Sequence, residues 1–298
     1  MSPDITRVSV VIPCFNHGRF LAEAIDSVLA QNWPEVDVIV VDDGSSDGSG
    51  DLAARYDRVW VVRQPNMGIS HARNAGLRAA LGDVVIFLDA DDRLVPGAVR
   101  HAVDALERHP HAAMAFGACR LIDGHGRALP TTIDPIDGNF YQQLLHRNYI
   151  WMPAMAAFRR SVFEVVGEFD PQVDASADYD MYLRVARQFP IVRSHAVFAE
   201  YRQHGANMSA DPVRMLKATL AVVRRQGPAA GPAAFRTWRT FYGEQLVERF
   251  RRSLRSRSLP GAVMDALRLL RWYPEGVACH LRKKFKLIVH PSSLAGGA

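Results

Sequence analysis

Lysine is missing from the first 211 of the 298 residues, cysteine is scarce at three, and no apolar run approaches the eighteen or so residues needed to cross a bilayer. Each absence excludes something. Cys14, Cys119 and Cys279 are an odd number at wide spacing, which suits neither a disulfide framework nor a zinc site and points to a reducing compartment. The opening stretch "MSPDITRVSVVIP" has no basic region ahead of a long apolar core and no small-residue cleavage site. Together these features predict a soluble cytoplasmic protein. At 48% hydrophobic and 22% charged, the chain can bury a core in one large domain or two smaller ones. There are no internal repeats, and only "GPAAGP" approaches low complexity.

The net charge of +5 hides a division. Residues 1–211 carry 19 Arg against 27 Asp and Glu, a net −8, whereas residues 212–298 carry 17 basic residues against 4 acidic, a net +13. Near Asp211-Pro212 alternating strand and helix patterns give way to Arg-rich helical stretches broken by Gly and Pro, so a domain 1–211 and a basic helical region 212–298 are expected. Within the first part, "RVSVVIP", "VDVIVVDDGS", "RVWVVRQ" and "DVVIFLDADD" alternate with the helical "FLAEAIDSVLAQ", "SGDLAARY" and "SHARNAGLRAAL". Near-continuous apolar strands separated by helices predict an α/β fold, with a Rossmann-like parallel sheet covered on both faces. Ligands then bind outside the carboxyl ends of the strands.

Two of those strands end in acid, at Asp42 and Asp43 and at Asp89, Asp91 and Asp92. Taken singly, each cluster reads as a turn or helix-cap sequence. Together they should line one crevice, where crowded carboxylates need a cation or a set of N–H donors to offset their repulsion. "VSVVIPCFNHGRFLAEAIDSVLAQNWPEVDVIVVDDGSSDGS", "NMGISHARNAGLRAALGDVVIFLDADD" and "FRRSVFEVVGEFDPQVDASADYDMYLRVA" resemble family 2 glycosyltransferases of the GT-A fold, over about residues 7–205. The resemblance does not extend to the basic C-terminal part.

That resemblance implies metal-dependent transfer, with inversion, of a sugar from a nucleotide-diphosphate sugar, a UDP-sugar by preference. The recipient would be an acceptor hydroxyl on a glycan or lipid-linked acceptor, as in bacterial surface polysaccharide or glycolipid assembly. Under it "DAD" is an Asp-x-Asp element holding Mg²⁺ or Mn²⁺, ions that usually keep waters and bind through one or two carboxylates plus phosphate oxygens. Asp91 would be the direct ligand, Asp89 would serve the ribose or a metal-bound water, and Asp92 is expected to cap a helix in "RLVPGAV". Asp43 would meet the nucleobase against Pro13 and Phe15, although Phe15 reads equally as core. Arg73 is a candidate for the base or the phosphates, and His204 in "YRQHGANMS" for a metal ligand or a phosphate hydrogen bond. Asp178 in "SADYDMYLRVA" matches the family's catalytic base; the Glu that usually precedes it is Ala177 here. Without the resemblance, Asp178 and Asp180 read as N-terminal helix caps, and Trp151 as core rather than a sugar-stacking ring.

Three C-terminal stretches, "FRTWRTFYGEQLVERFRRSLRSRS", "VMDALRLLRWYPEG" and "CHLRKKFKLIV", interleave basic residues with aromatic and aliphatic ones. That composition fits helices on an anionic membrane surface and equally helices packed on the catalytic domain. No nucleic-acid recognition motif accompanies the charge. Two other functional classes remain open to the sequence. A nucleotidyltransferase would carry a Gly-rich basic phosphate loop after its first strand, whereas "PCFNHGRF" has one Gly and one Arg. A non-catalytic sugar-nucleotide-binding module would keep the acidic crevice and dispense with Asp178.

Overall fold

The first β-branched run folds as strand β1, Val8–Cys14, buried along its whole length within an eight-stranded sheet. The computed structural model describes residues 6–131, 136, 138–173, 175–205 and 207–278; Cys279, Lys283, Lys284 and the stretch "CHLRKKFKLIV" lie outside the described residues. Strands β2 (Val36–Asp42), β3 (Val59–Arg63) and β4 (Val84–Phe87) run parallel to β1 in the order β3-β2-β1-β4. Burial on both faces explains why β4 and, apart from Ser9, β1 are continuously apolar.

Beyond β4 the sheet is mixed. Strand β7 (Ala156–Arg159) lies antiparallel to β4 and to β6 (Met114–Asp123), while β8 (Ile191–Gln203) runs parallel to β6. The two-residue strand β5, Arg93–Leu94, closes the order by pairing with β8. This corrects the expectation of a helix capped by Asp92. Pro96 disfavours helical geometry at Val95, the helix begins only at Ala98 after Gly97 with φ 80°, and Arg93 and Leu94 take a sheet edge instead.

Helices α1 (Gly18–Leu29), α2 (Ser49–Ala53) and α3 (Ile69–Ala79) connect the first four strands, followed by α4 (Ala98–Arg108), α5 (Phe140–His146), α6 (Val162–Val166) and α7 (Ala177–Gln188). The buried stripe of α1, Phe20, Leu21, Ala24, Ile25 and Val28, has the spacing of one helical face. The chain divides into two compact units between Asn207 and Met208. The second contains α8 (Pro212–Arg225), α9 (Gly231–Arg255) and α10 (Leu259–Trp272). Asp211 caps α8 by accepting from Val213 N at 3.1 Å and Arg214 N at 3.4 Å, with Pro212 in the first turn, where its missing N–H costs nothing. Leu246, Val247, Leu269 and Tyr273 form the apolar seam between α9 and the end of α10.

Gly76 sets how closely α3 approaches the sheet. A Cβ there would collide with Cγ1 of Val11 and come within 3.1 Å of Cγ2 of Val41, both fully buried residues. Gly76→Ala would gain about 1 kcal/mol of helix propensity, which overpacking of about 1–3 kcal/mol outweighs. A net loss of up to about 2 kcal/mol is expected, read as a lower urea midpoint with an unchanged slope. An unchanged midpoint would show that the α3 contact with β1 yields freely.

Candidate active site

Register brings the two acidic strand ends to one edge. Cys14 pairs with Asp42 and Val11 with Phe87, so the residues after β1, β2 and β4 emerge side by side. Asp42 is the turn former: its Oδ1 accepts from Ser45 N at 2.9 Å. Asp43, buried, faces the other way. Its Oδ1 accepts from Gln64 Nε2 at 2.7 Å and Met67 N at 2.9 Å, and its Oδ2 accepts from Gly68 N at 2.8 Å, so it fixes the loop that opens α3. A carboxylate has about four acceptor positions, and three donors leave capacity for one more. Asn16 adopts φ 56°, a left-handed geometry that Asn tolerates, and its Oδ1 accepts from Ser46 N at 2.8 Å. No local pattern signals this clasp, whose partners lie 30 residues apart.

The three carboxylates after β4 meet three different partners. Asp89 Oδ1 accepts from Arg73 Nη2 at 2.9 Å, and the Arg73 guanidinium lies over the Phe169 ring at 5.5 Å. Asp91 Oδ2 lies 2.9 Å from His204 Nε2, both side chains largely sheltered. Asp92 is almost fully buried: its Oδ1 accepts from the main-chain N of Arg202 at 2.7 Å, and its Oδ2 has no hydrogen-bond partner. Burial, with the nearby charges of Asp91 and Asp89, pushes the Asp92 carboxyl well above the usual range, against the pull of Arg202.

Arg202, 1% exposed, organises this corner. Its Nε donates to the Asp91 carbonyl at 2.7 Å and its Nη2 to Glu23 at 2.7 Å, while its guanidinium lies 4.8 Å over the ring of Phe20. Phe20 in turn stacks on His204 at 5.2 Å. Neither Arg202 nor Glu23 was distinguishable by sequence, because their partners lie more than a hundred residues away in the chain or on another element.

Asp178 sits in the first turn of α7, two residues past the cap position Ser176, and its Oδ1 accepts from the adjacent Tyr179 N at 2.8 Å. Desolvation pushes its carboxyl up to about 6, opposed by the charge of Arg73 and the Tyr179 N–H and reinforced by Asp89. Asp180, by contrast, is structural. It accepts from Arg184 Nε at 2.8 Å, and Arg184 also donates to the Glu168 carbonyl at 2.9 Å, tying α7 to the chain before Phe169. Asn74 exchanges hydrogen bonds of 2.8 and 2.9 Å with the main chain of Phe169, which sets that ring beneath Arg73. Tyr182, one turn after Asp178, is buried with an unpartnered hydroxyl, as are Arg73 Nε and Ser70 Oγ. Burial and the charge of Asp178 push the Tyr182 phenol well above its ordinary range. Unsatisfied polar atoms at these positions mark a site suited to a polar ligand.

Pro13 is buried at the end of β1, while Phe15 is 45% exposed and Trp151 37% exposed, so neither ring is core. The loop after β1 is not a phosphate cradle. Gly18 N donates to Asp47 Oδ2 at 2.9 Å, which places a carboxylate where a phosphate-binding loop needs an open donor. The structure thus assembles Asp43, Arg73, Asp89, Asp91, Asp178 and His204 along one edge of the sheet.

The family model for glycosyl transferase family 2 matches residues 9–167. An uncharacterised glycosyltransferase of Nostoc sp. is 32% identical over 213 residues, covering 67% of this chain and 66% of that protein. One of Rickettsia conorii is 30% identical over 67% of this chain and only 34% of its own length, and chondroitin synthase of Escherichia coli is 26% identical over 69% and 30%. The chain thus spans about a third to two thirds of these relatives. In fold it is similar to S. aureus TarS, solved with UDP-GlcNAc (TM-score 0.63, 19% identity, 91% of this chain and 82% of that chain). It is also similar to the mannosyltransferase PcManGT of Pyrobaculum calidifontis, solved with GDP-Man and Mn²⁺ (TM-score 0.61, 21% identity, 91% and 82%). With a GT-A sheet, an acidic crevice at its carboxyl edge and the family match across more than half its length, this chain belongs to glycosyl transferase family 2.

Proposed function

We propose that the chain transfers a sugar from a nucleoside-diphosphate sugar to an acceptor hydroxyl by direct displacement with inversion, assisted by a divalent cation. The observation that carries this reading is that two acidic groups have different charged neighbours: Asp91 pairs with His204 at 2.9 Å, whereas Asp178 is acted on by Arg73 and Asp89. Donors of this class are supported by the UDP-GlcNAc and GDP-Man complexes of the structural neighbours. A role in polysaccharide assembly is supported by the likeness to chondroitin synthase.

The residues present fit a cation. Asp91 and His204 offer one carboxylate oxygen and one imidazole nitrogen side by side, a donor pair compatible with Mn²⁺ or Mg²⁺. Among the described residues no three His, Cys, Asp or Glu side chains form a ready-made cage, so diphosphate oxygens and water would complete the shell. When bound, the cation supplies Lewis-acid stabilisation of the charge on the departing diphosphate. Asp43, with one acceptor position left, would take a hydrogen bond from the nucleobase between Pro13 and Phe15. Arg73 would hold Asp89 toward the ribose and add positive charge beside the phosphates. Ionised Asp178 would accept the proton of the acceptor hydroxyl as that oxygen bonds to the anomeric carbon and the bond to the diphosphate breaks. The acceptor is proposed to be a glycan or a lipid-linked sugar, with peripheral contact between the protein and an anionic membrane.

Calorimetry of UDP binding tests the cation. Affinity should be poor in EDTA and much higher with Mn²⁺, and Asp91→Asn should lose most of that gain. Equal affinity in both conditions would sink the assignment.

Asp178→Asn separates binding from chemistry. UDP affinity should hold while transfer falls by about two to four powers of ten. The wild-type rate should climb with pH through about 6, as the base ionises, and then level. Stability carries the opposite sign. Between the ordinary 3.8 and about 6 the folded chain keeps a proton that the unfolded chain has released, so stability falls as pH rises through this window. Asp178→Asn should therefore raise the melting temperature at pH 8 and change it little at pH 4. Near-normal turnover in the folded variant would refute the role, as would a variant less stable at pH 8.

A further inference from the structure

Helix α10 has two apolar faces, and its own unit buries only one. Ala262, Leu269 and the following Tyr273 are turned inward, with Leu269 and Tyr273 on the seam with α9. Leu259, Val263, Leu267 and Leu270 lie outward at 73%, 59%, 56% and 59% exposure. Their spacing of four, four and three residues makes one continuous stripe over three turns. Met264, 51% exposed, widens it, and Leu254, also 51% exposed, extends the apolar surface to the last turn of α9. Single exposed apolar residues are ordinary, but a stripe of this length marks an interaction surface.

The charge around the stripe identifies the partner. Arg251, Arg252, Arg255 and Arg257 are exposed around the turn between α9 and α10, and Arg271 follows Leu270. The nearby acids are already engaged. Glu248 lies 3.4 Å from Arg251 and 3.8 Å from Arg255, while buried Asp265 accepts from Ser253 Oγ at 2.8 Å and pairs with Arg249 at 3.1 Å and Arg268 at 3.3 Å. Arg257 holds its charge at φ 55°, a left-handed geometry where glycine would be unstrained. An apolar stripe bordered by excess arginine is complementary to a surface with an apolar interior and anionic headgroups.

We propose that α10 lies in the plane of an anionic bilayer surface, with Leu259, Val263, Leu267 and Leu270 among the acyl chains and the arginines of the α9–α10 turn at phosphate level. This deepens the proposed membrane contact by naming the element that makes it. No helix among the described residues is long and apolar enough to cross a membrane, and α10, at 14 residues or about 21 Å, lies flat rather than spanning. The inserted stripe changes the expected salt response. Attraction by charge alone is screened within about 8 Å at physiological salt and vanishes at high salt, whereas insertion leaves a salt-resistant remainder.

Flotation of the full chain with phosphatidylglycerol/phosphatidylcholine vesicles reads both contributions. Wild type should float at low salt and retain a measurable fraction at 1 M salt, a condition set by the experimenter about seven-fold above physiological strength. Replacing Leu259, Val263, Leu267 and Leu270 together by Gln should lower partitioning on the order of 100-fold and abolish the salt-resistant fraction. Replacing Arg251, Arg252, Arg255 and Arg257 by Gln should remove the preference for phosphatidylglycerol over pure phosphatidylcholine. Far-ultraviolet circular dichroism and an unchanged melting transition report that each variant is folded. Three results would overturn the proposal: no flotation of wild type at low salt, unchanged flotation of the stripe variant, or a wild-type dimer in sedimentation that the stripe substitutions convert to monomer. The last assigns the face to a second copy of the chain. Lost flotation with normal sugar-nucleotide hydrolysis would leave the transferase reading standing, and lost hydrolysis with normal flotation would do the reverse.

Discussion

Three carboxylates within four residues at the end of a buried strand repel one another strongly, and the crevice is arranged around the ways that repulsion is relieved. Arg73 meets Asp89 from α3, His204 meets Asp91 from beyond β8, and Asp92 is withdrawn into the interior against the main-chain N–H of Arg202. Each solution draws a different element to the same edge. Arg73 is seated by Phe169, which Asn74 holds; His204 is seated by Phe20, which Arg202 braces. Removing the acids would remove the reason for these sheltered basic side chains to be where they are.

Separation of charge is also what gives Asp178 its character. It is desolvated, so its carboxyl sits near neutrality, yet Arg73 stands close enough to keep it from rising further. In the proposed reaction the cation-binding pair and the base then have separate tasks. A carboxylate bound directly to a metal would be too weak a base to accept a hydroxyl proton, and one left fully solvated would be weaker than one tuned to about 6. The cost is stability at neutral pH, a common feature of functional carboxylates.

The sheet was legible because its determinants are local. Four β-branched runs separated by three helices are readable from pattern alone, and the acid at two strand ends marks the edge where the site lies. Residue-level roles fared differently. Asp92 was expected as a helix cap, since Asp before a Pro-Gly turn commonly is one; its actual partner, Arg202, is 110 residues on. The antiparallel β7 and the two-residue β5 carry no distinctive pattern, because their pairing is dictated by strands far along the chain. Asn16, Glu23, Asn74, Phe169 and Tyr182 went unremarked for the same reason. Phe15 reads equally as core or surface and Trp151 reads as core, whereas both rings are exposed. In the second unit composition revealed the charge excess, while the exposed stripe of α10 required knowing which face its own seam had already used.

The proposed reaction is a single displacement at the anomeric carbon, with Asp178 taking the proton and no covalent sugar–enzyme intermediate. Proton NMR of the sugar released by slow hydrolysis of an α-linked nucleotide sugar, recorded before the product equilibrates, reads the stereochemistry of that step directly. The β-anomer should appear first. First appearance of the α-anomer would mean retention, require a second displacement, and contradict the assignment of Asp178 as the sole base.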